Sequence, residues 1–208
     1  PTRHGPDGWD EYVPVQMQPL VVLHHASMAE EDLEMLRYVR DNEVERDFNE
    51  LTSHGDRGGA NLEARFQYYE GNLPDWPTKT LAADQLYVNA MHENMRRDNR
   101  TVEEIIEENR WPSNPVTVKG LMHVTQGAPQ SVYNGGLVRC TVRYFDNDRV
   151  RPGLPEDVAA LVDEMKADAV GIQLVNTGSE ARNLIVQAGA FGEHTFTSVK
   201  YVEHDTEA

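Results

Sequence analysis

The spacing of apolar residues changes near residue 130, from a helical beat of three to four to an alternation of two. Upstream of that switch the chain reads as a series of helices. Pro1 to Pro14, rich in Gly, Pro and charge without an apolar period, is expected to be an extended arm or loop. Gln16 to Leu23 is too brief for periodicity to separate a short strand from the lead-in to a helix. Ser27-Met28-Ala29-Glu30 has the form of a capping box, in which serine accepts a free amide of the first turn and glutamate reaches back to the cap. A helix over 28–47 follows from it, with Leu33, Leu36, Val39 and Arg40 at helical spacing. The glycine-dense stretch 53–59 predicts a loop. A short helix over Asn61 to Tyr69 then stops around Gly71 and the turn Pro74-Asp75-Trp76-Pro77. The next helix, 78–97, carries Leu81, Leu86, Tyr87, Met91 and Met95 on or near one side, where they read as core. Thr101-Val102-Glu103-Glu104 repeats the capping box before a helix ending near Trp111-Pro112, and Val116 to Val124 forms one more, closed by Gly127.

Beyond the switch, Val138, Cys140, Val142 and Tyr144 alternate with Arg139, Thr141 and Arg143, the pattern of a half-buried strand with Cys140 pointing inward as a structural thiol. Leu154-Pro155-Glu156-Asp157 predicts a short helix with Val158, Leu161, Val162 and Met165 on one face. Three strand-like runs complete the reading: Val170 to Val175, Asn183 to Ala188, and Thr195 to Val202. The loop 176–180 has hairpin residues, so the first two runs are expected to pair antiparallel.

Charge narrows the partners. The 19 Lys and Arg against 35 Asp and Glu give a formal net charge of −16, a field that repels phosphate backbones and anionic lipid surfaces. Nucleic acid is therefore not an expected partner, and neither is a membrane, because no apolar run approaches the length of a spanning helix. The single cysteine permits no intrachain disulfide, which suits a soluble protein of a reducing, cytoplasmic compartment. No phosphate-cradling glycine loop of the Walker or dinucleotide type occurs.

The segments Gly127-Ala128-Pro129-Gln130-Ser131-Val132-Tyr133-Asn134-Gly135-Gly136, Arg143-Tyr144-Phe145, Arg151-Pro152-Gly153-Leu154-Pro155 and Gln187-Ala188-Gly189-Ala190-Phe191-Gly192-Glu193-His194 resemble the C-terminal portion of a group of large uncharacterised bacterial proteins. The resemblance covers the last 110 residues or so. It implies a helical region followed by a β-sandwich-like tail, a layout shared with several carbohydrate-active enzymes, and it carries no catalytic residue across.

Residues able to carry chemistry are few. His24 and His25 with His54 and Asp56 form the nearest approach to a divalent-metal constellation, although neighbouring side chains diverge by roughly 100° on a helix and rarely chelate one ion together. Glu193 beside His194 suggests a carboxylate orienting an imidazole for acid–base work, with a hydrogen-bonding role at a strand entry as the plainer reading. Trp76, Trp111, Tyr68, Tyr69 and Tyr133, lying near turns with Asp75 and Glu70, suggest a stacking platform for a sugar; the plainer reading is that they cover helix ends.

The sequence thus predicts an α+β protein: an arm and lead-in over 1–26, a helical region over 27–126 and a β-rich, sandwich-like region over 127–208. Three functions fit it. One is an accessory or binding module for a partner chain or a carbohydrate, another a metal-assisted or acid–base enzyme acting on a sugar-like substrate, and the third a structural subunit of a larger assembly. A sheet edge and a Pro/Gly-rich arm both invite homo-oligomer formation.

Overall fold

The chain is α+β, with helices first and antiparallel sheets after them. The structure, a computed structural model, describes residues 2–5, 8–12, 17–42, 47–49, 51, 62–108, 119–128 and 140–202. The opening segment differs from expectation. β1 (Thr2–Gly5) and β2 (Gly8–Tyr12) pair antiparallel, Thr2 opposite Tyr12, and Gly5 and Gly8 meet where the chain reverses. The glycines that suggested a loose arm are those of a hairpin end.

α1 (Met17–Ser27) resolves the ambiguous lead-in as a helix. Ser27 closes this helix instead of opening the next. Met28 takes a φ of 50°, a region a non-glycine residue seldom enters, and α2 (Glu30–Asn42) starts two residues later. The Ser27 hydroxyl accepts the Ala29 amide at 3.1 Å and meets Asp32, while Glu30 turns forward to Arg37 at 2.7 Å, so the expected capping box is not made. α3 (Leu62–Tyr69) follows and stops at Gly71, whose φ is 79°. Val21, Leu36, Val39, Phe48, Leu62 and Phe66 form one apolar cluster joining α1, α2 and α3. Burying each such side chain contributes about 1.5–3 kcal/mol.

α4 (Trp76–Arg97) starts two residues earlier than the pattern suggests, with Pro77 in its first turn, where the missing amide costs nothing. The stripe read as core is not core. Trp76, Thr80 and Asp84, four residues apart, are the buried positions, and none follows them in the helix, while Leu81, Leu86 and Met95 are exposed. α5 (Val102–Glu108) has the reciprocal cap the sequence calls for: the Thr101 amide donates to Glu104 Oε2 at 2.7 Å and the Glu104 amide to Thr101 Oγ1 at 3.2 Å. It buries no residue. α6 (Lys119–Gln126) ends at Gly127, with φ 61°.

In the β region, β3 (Val142–Asp146) lies between β4 (Arg151–Pro152) and β7 (Leu184–Ala188), while β5 (Val158–Met165) and β6 (Val170–Asn176) make a separate hairpin. Val142, Tyr144, Ala160 and Val162 pack together with Val170, Ile172, Leu184 and Val186, so the two sheets share an apolar interior. Three expectations fail here. Residues 158–165 are a strand, not a helix. A register shift between Val162 and Glu164 makes the inward steps two and then three residues, from Ala160 to Val162 to Met165, which imitates a helical spacing. Leu161, on the other face, joins Ala64, Trp76 and Val124 of the helices.

The pairing of 170–175 with 183–188 also fails. β6 pairs with β5, and β7 with β3, Val142 opposite Ala188. The connection does not reverse on itself because both its ends are tied to other turns. The Thr177 amide donates to Asp157 O at 2.8 Å, and Asn183 donates through its amide and side chain to the Asp148 carboxylate at 2.9 and 2.7 Å. Finally, Thr195 to Val202 forms no strand. Cys140, by contrast, is buried as expected.

Candidate functional site

The chemistry-bearing side chains of the helical half meet the sheets at one buried junction. Its organiser is Arg65. In α3, Leu62, Arg65, Phe66 and Tyr69 occupy successive positions of one helical face, and a face that is otherwise apolar carries the guanidinium into the interior at 3% exposure. No carboxylate pairs with it among the described residues. Instead Nη2 donates to Gly127 O at 3.2 Å and lies 3.6 Å from Met165 Sδ, and the guanidinium sits 5.0 Å from the Tyr69 ring centroid. A desolvated cation over an aromatic face is worth about 2 kcal/mol or more. Burial lowers the Arg65 pKa and raises that of Tyr69. Arginine stays charged all the same. The Arg65 Nε hydrogen is buried and has no acceptor among the described residues.

Around this cation five elements converge. Thr141 Oγ1 lies 3.4 Å from each of His25 Nε2, Gly127 O and Met165 Sδ, and its single proton serves one of the latter two or the imidazole. Gly127 is needed there, because a Cβ would come within 2.9 Å of Thr141 Oγ1 and 3.0 Å of Met165 Sδ. The Tyr69 hydroxyl donates to Val162 O at 3.1 Å, and that of Tyr144 to Thr125 O at 2.8 Å. The two tyrosine hydroxyls thus tie a helix to a strand, while Arg65 ties α3 to the end of α6.

His24 and His25 lie in the last turn of α1, and only His25 enters this network. His24 is half-buried with Nδ1 unpartnered among the described residues. Desolvation lowers its pKa, against the pull of the Ala29 backbone, Asp32 and Glu30 and with the help of Arg65. The consequence for stability has a definite sign. Above the unfolded value of 6.5 both states hold His24 neutral; below it the unfolded chain takes up a proton that the folded one resists, so folding weakens as the pH falls. Urea unfolding at about pH 8 and about pH 5 is expected to give a steeper loss in wild type than in His24→Gln, and equal losses would contradict it. His54 and Asp56, the expected companions of this pair, lie outside the described residues. Among the described residues no three His, Cys, Asp or Glu side chains are placed to hold a metal ion.

The other expected residues are committed to structure. Trp76 is fully enclosed, with Tyr68 at 5.2 Å and Tyr69 at 6.5 Å between ring centroids, so the expected aromatic convergence exists but faces inward and offers no stacking surface. Asp75 is exposed and pairs with Lys79 at 2.7 Å, and Glu70 takes a bidentate grip from Arg37 at 2.8 and 3.1 Å. Trp111 and Tyr133 lie outside the described residues. Glu193 does not aim at His194. Its two carboxylate oxygens accept the amides of Ala190 and Phe191 at 3.2 and 2.8 Å, folded over Gly189 (φ 78°), where a Cβ would collide with them. Those bonds, led by its own amide and that of Phe191, hold its carboxyl below the usual range. His194 is exposed. Burial pushes the Cys140 thiol up to about 11, which leaves little thiolate at neutral pH.

The model of one family, DUF8034, described as a domain of unknown function, matches residues 1–122. The chain belongs to this family. The DUF8034 match runs from β1 into α6 and so takes in α1, α3, His25 and Arg65, while Gly127, Thr141 and Met165 lie beyond it. The junction is therefore the seam between the family's region and the sheets that follow. No curated protein and no solved structure matches the chain. No helix among the described residues is long and apolar enough to cross a membrane.

Proposed function

We propose that this chain is a binding module, a non-catalytic subunit that docks a partner protein through the outer half of α4 and through α5. The observation that carries the reading is the placement of apolar side chains. After Asp84, α4 buries nothing, yet Leu86 is 70% exposed and Met95 is exposed; on α5, Val102 is exposed and Ile106 is 58% exposed. Open apolar side chains with carboxylates beside them, here Glu93, Glu103, Glu104 and Glu107, suit protein binding, and because Leu86 and Met95 lie on opposite sides of α4 the surface wraps around the outer half of that helix. The side chains with catalytic potential point the other way: Arg65, His25 and Cys140 are buried in the fold, and Glu193 clamps a turn. A helical region followed by a sandwich-like tail, the layout implied by the resemblance, also suits an accessory part of a larger system. With Trp76 enclosed, a carbohydrate reading loses the aromatic at its centre.

The test is a double variant, Leu86→Asp with Ile106→Asp. Because both sites are exposed, the melting temperature is expected to stay close to wild type. Retention of a partner from native lysate on immobilised protein is expected to fall by roughly tenfold or more. A wild-type chain that retains nothing above control, or a variant that retains as much as wild type, ends this reading.

A further inference from the structure

We infer that Thr195–Val202 is a strand whose partner is a second copy of this chain, where it adds antiparallel to the free edge of β6. The segment has the composition of a strand, Thr-Phe-Thr-Ser-Val-Lys-Tyr-Val, without Gly or Pro. It forms none within its own chain, and its apolar side chains lie open, Val199 at 76% and Tyr201 at 85% exposure. Its own β6 is not where it goes. The turn before it is pinned to the β3 sheet, with the Gly189 amide donating to Thr141 O at 2.8 Å and Arg143 Nη1 to Ala190 O at 2.8 Å, so the segment departs from the sheet that β6 does not belong to.

The receiving edge lacks the usual protection. Among the described residues β6 pairs only with β5, and its sequence, Val-Gly-Ile-Gln-Leu-Val-Asn, contains no charge and no proline to repel another strand. In a chain of net charge −16, self-association is opposed over most of the surface. The uncharged β6 edge adds nothing to that opposition, and Lys200 gives the incoming segment the sign complementary to Asp163 beside Gly171.

Side-chain alternation fixes the register. β6 turns Val170 and Ile172 to the shared apolar interior, with Leu174 continuing that face but exposed. On the opposite face Gly171 has no side chain, and Asp163 of β5 lies over it. Placing Thr195 opposite Asn176 and Tyr201 opposite Val170 puts Thr197, Val199 and Tyr201 on the apolar face beside Leu174, Ile172 and Val170. The same register sets Lys200 opposite Gly171, within side-chain reach of Asp163. A shift of one residue would send Val199 and Tyr201 to water and Lys200 to the interior. Reciprocal exchange between two copies closes a two-fold pair and leaves neither β6 edge open. This surface does not overlap the α4–α5 face, so either can fail without the other.

Sedimentation of the full chain at micromolar concentration tests it. Wild type is expected to be a dimer, and Val199→Pro, which removes one ladder amide at an exposed site, is expected to weaken the dimer roughly tenfold or more while leaving the melting temperature of the subunit unchanged. The register is tested by mixing Ser198→Cys chains with Gln173→Cys chains under mild oxidation: a disulfide-linked heterodimer is expected, since these positions face each other across the proposed pair. A wild-type monomer, a dimer indifferent to Val199→Pro, or failure of the two cysteines to couple would each overturn the assignment.

Discussion

Trp76→Ala is expected to lower the free energy of unfolding by about 3–5 kcal/mol, read from urea denaturation by circular dichroism. The indole is fully buried where α3, α4, α6 and β5 meet, against Ala64 and Val124, with Leu161 of β5 and Tyr68 packed on it. These elements are held by their own secondary structure and cannot collapse onto the void, which is the condition for the upper part of that range. Helix propensity does not confound the result, because alanine is the best helix former. The contribution is one of volume: the indole N–H has no acceptor among the described residues, so Trp76→Phe forfeits no hydrogen bond to them and is expected to cost about 1.5 kcal/mol or less. Equal losses for the two variants would show that something other than filling space is at stake.

The second large effect concerns the buried cation. Arg65→Glu is expected to cost more than about 4 kcal/mol, because it buries a carboxylate facing the Gly127 carbonyl, Met165 and the Tyr69 ring, none of which offers a proton to it there. Arg65→Met, which keeps the length of the stem and removes the charge, is expected to stay within about 1 kcal/mol of wild type or to exceed it. The asymmetry follows because no carboxylate among the described residues pairs with Arg65: no ion pair is broken there, and the carbonyl, the thioether and the Tyr69 ring that are left carry no charge. The same denaturation series decides it. Should the methionine variant be as unstable as the glutamate one, the bond to the Gly127 carbonyl and the contact with the Tyr69 ring outweigh the desolvation of the guanidinium.

Much of the fold was legible because local chemistry and tertiary packing agree. Thr101 and Glu104 cap α5 in the way their spacing requires, Gly71 and Gly127 end helices with left-handed backbone, and Val142 and Tyr144 alternate inward as written. The errors arise where a long-range partner decides. The register shift in β5 gave a strand a helical spacing, and the ties of Thr177 to Asp157 and Asn183 to Asp148 drew a hairpin-like loop across to another sheet. Leu86 and Met95 look like core in any one-dimensional reading, since nothing local reveals that α4 buries no residue after Asp84. The junction was half visible. His25 was singled out, although for metal chemistry, and Arg65 was missed, although a charged residue at an apolar-stripe position between Leu62, Phe66 and Tyr69 is a readable sign of a buried cation.

The ties across that junction also bear on how the chain is made. Arg65 waits for Met165, 100 residues downstream, and Tyr69 for Val162, 93 residues downstream. At a synthesis rate of about 5–20 residues per second, Leu62 and Phe66 of α3 meet partners already made, in α1 and α2, whereas Arg65 and Tyr69 stand without their strand partners for about 5–20 s on the ribosome.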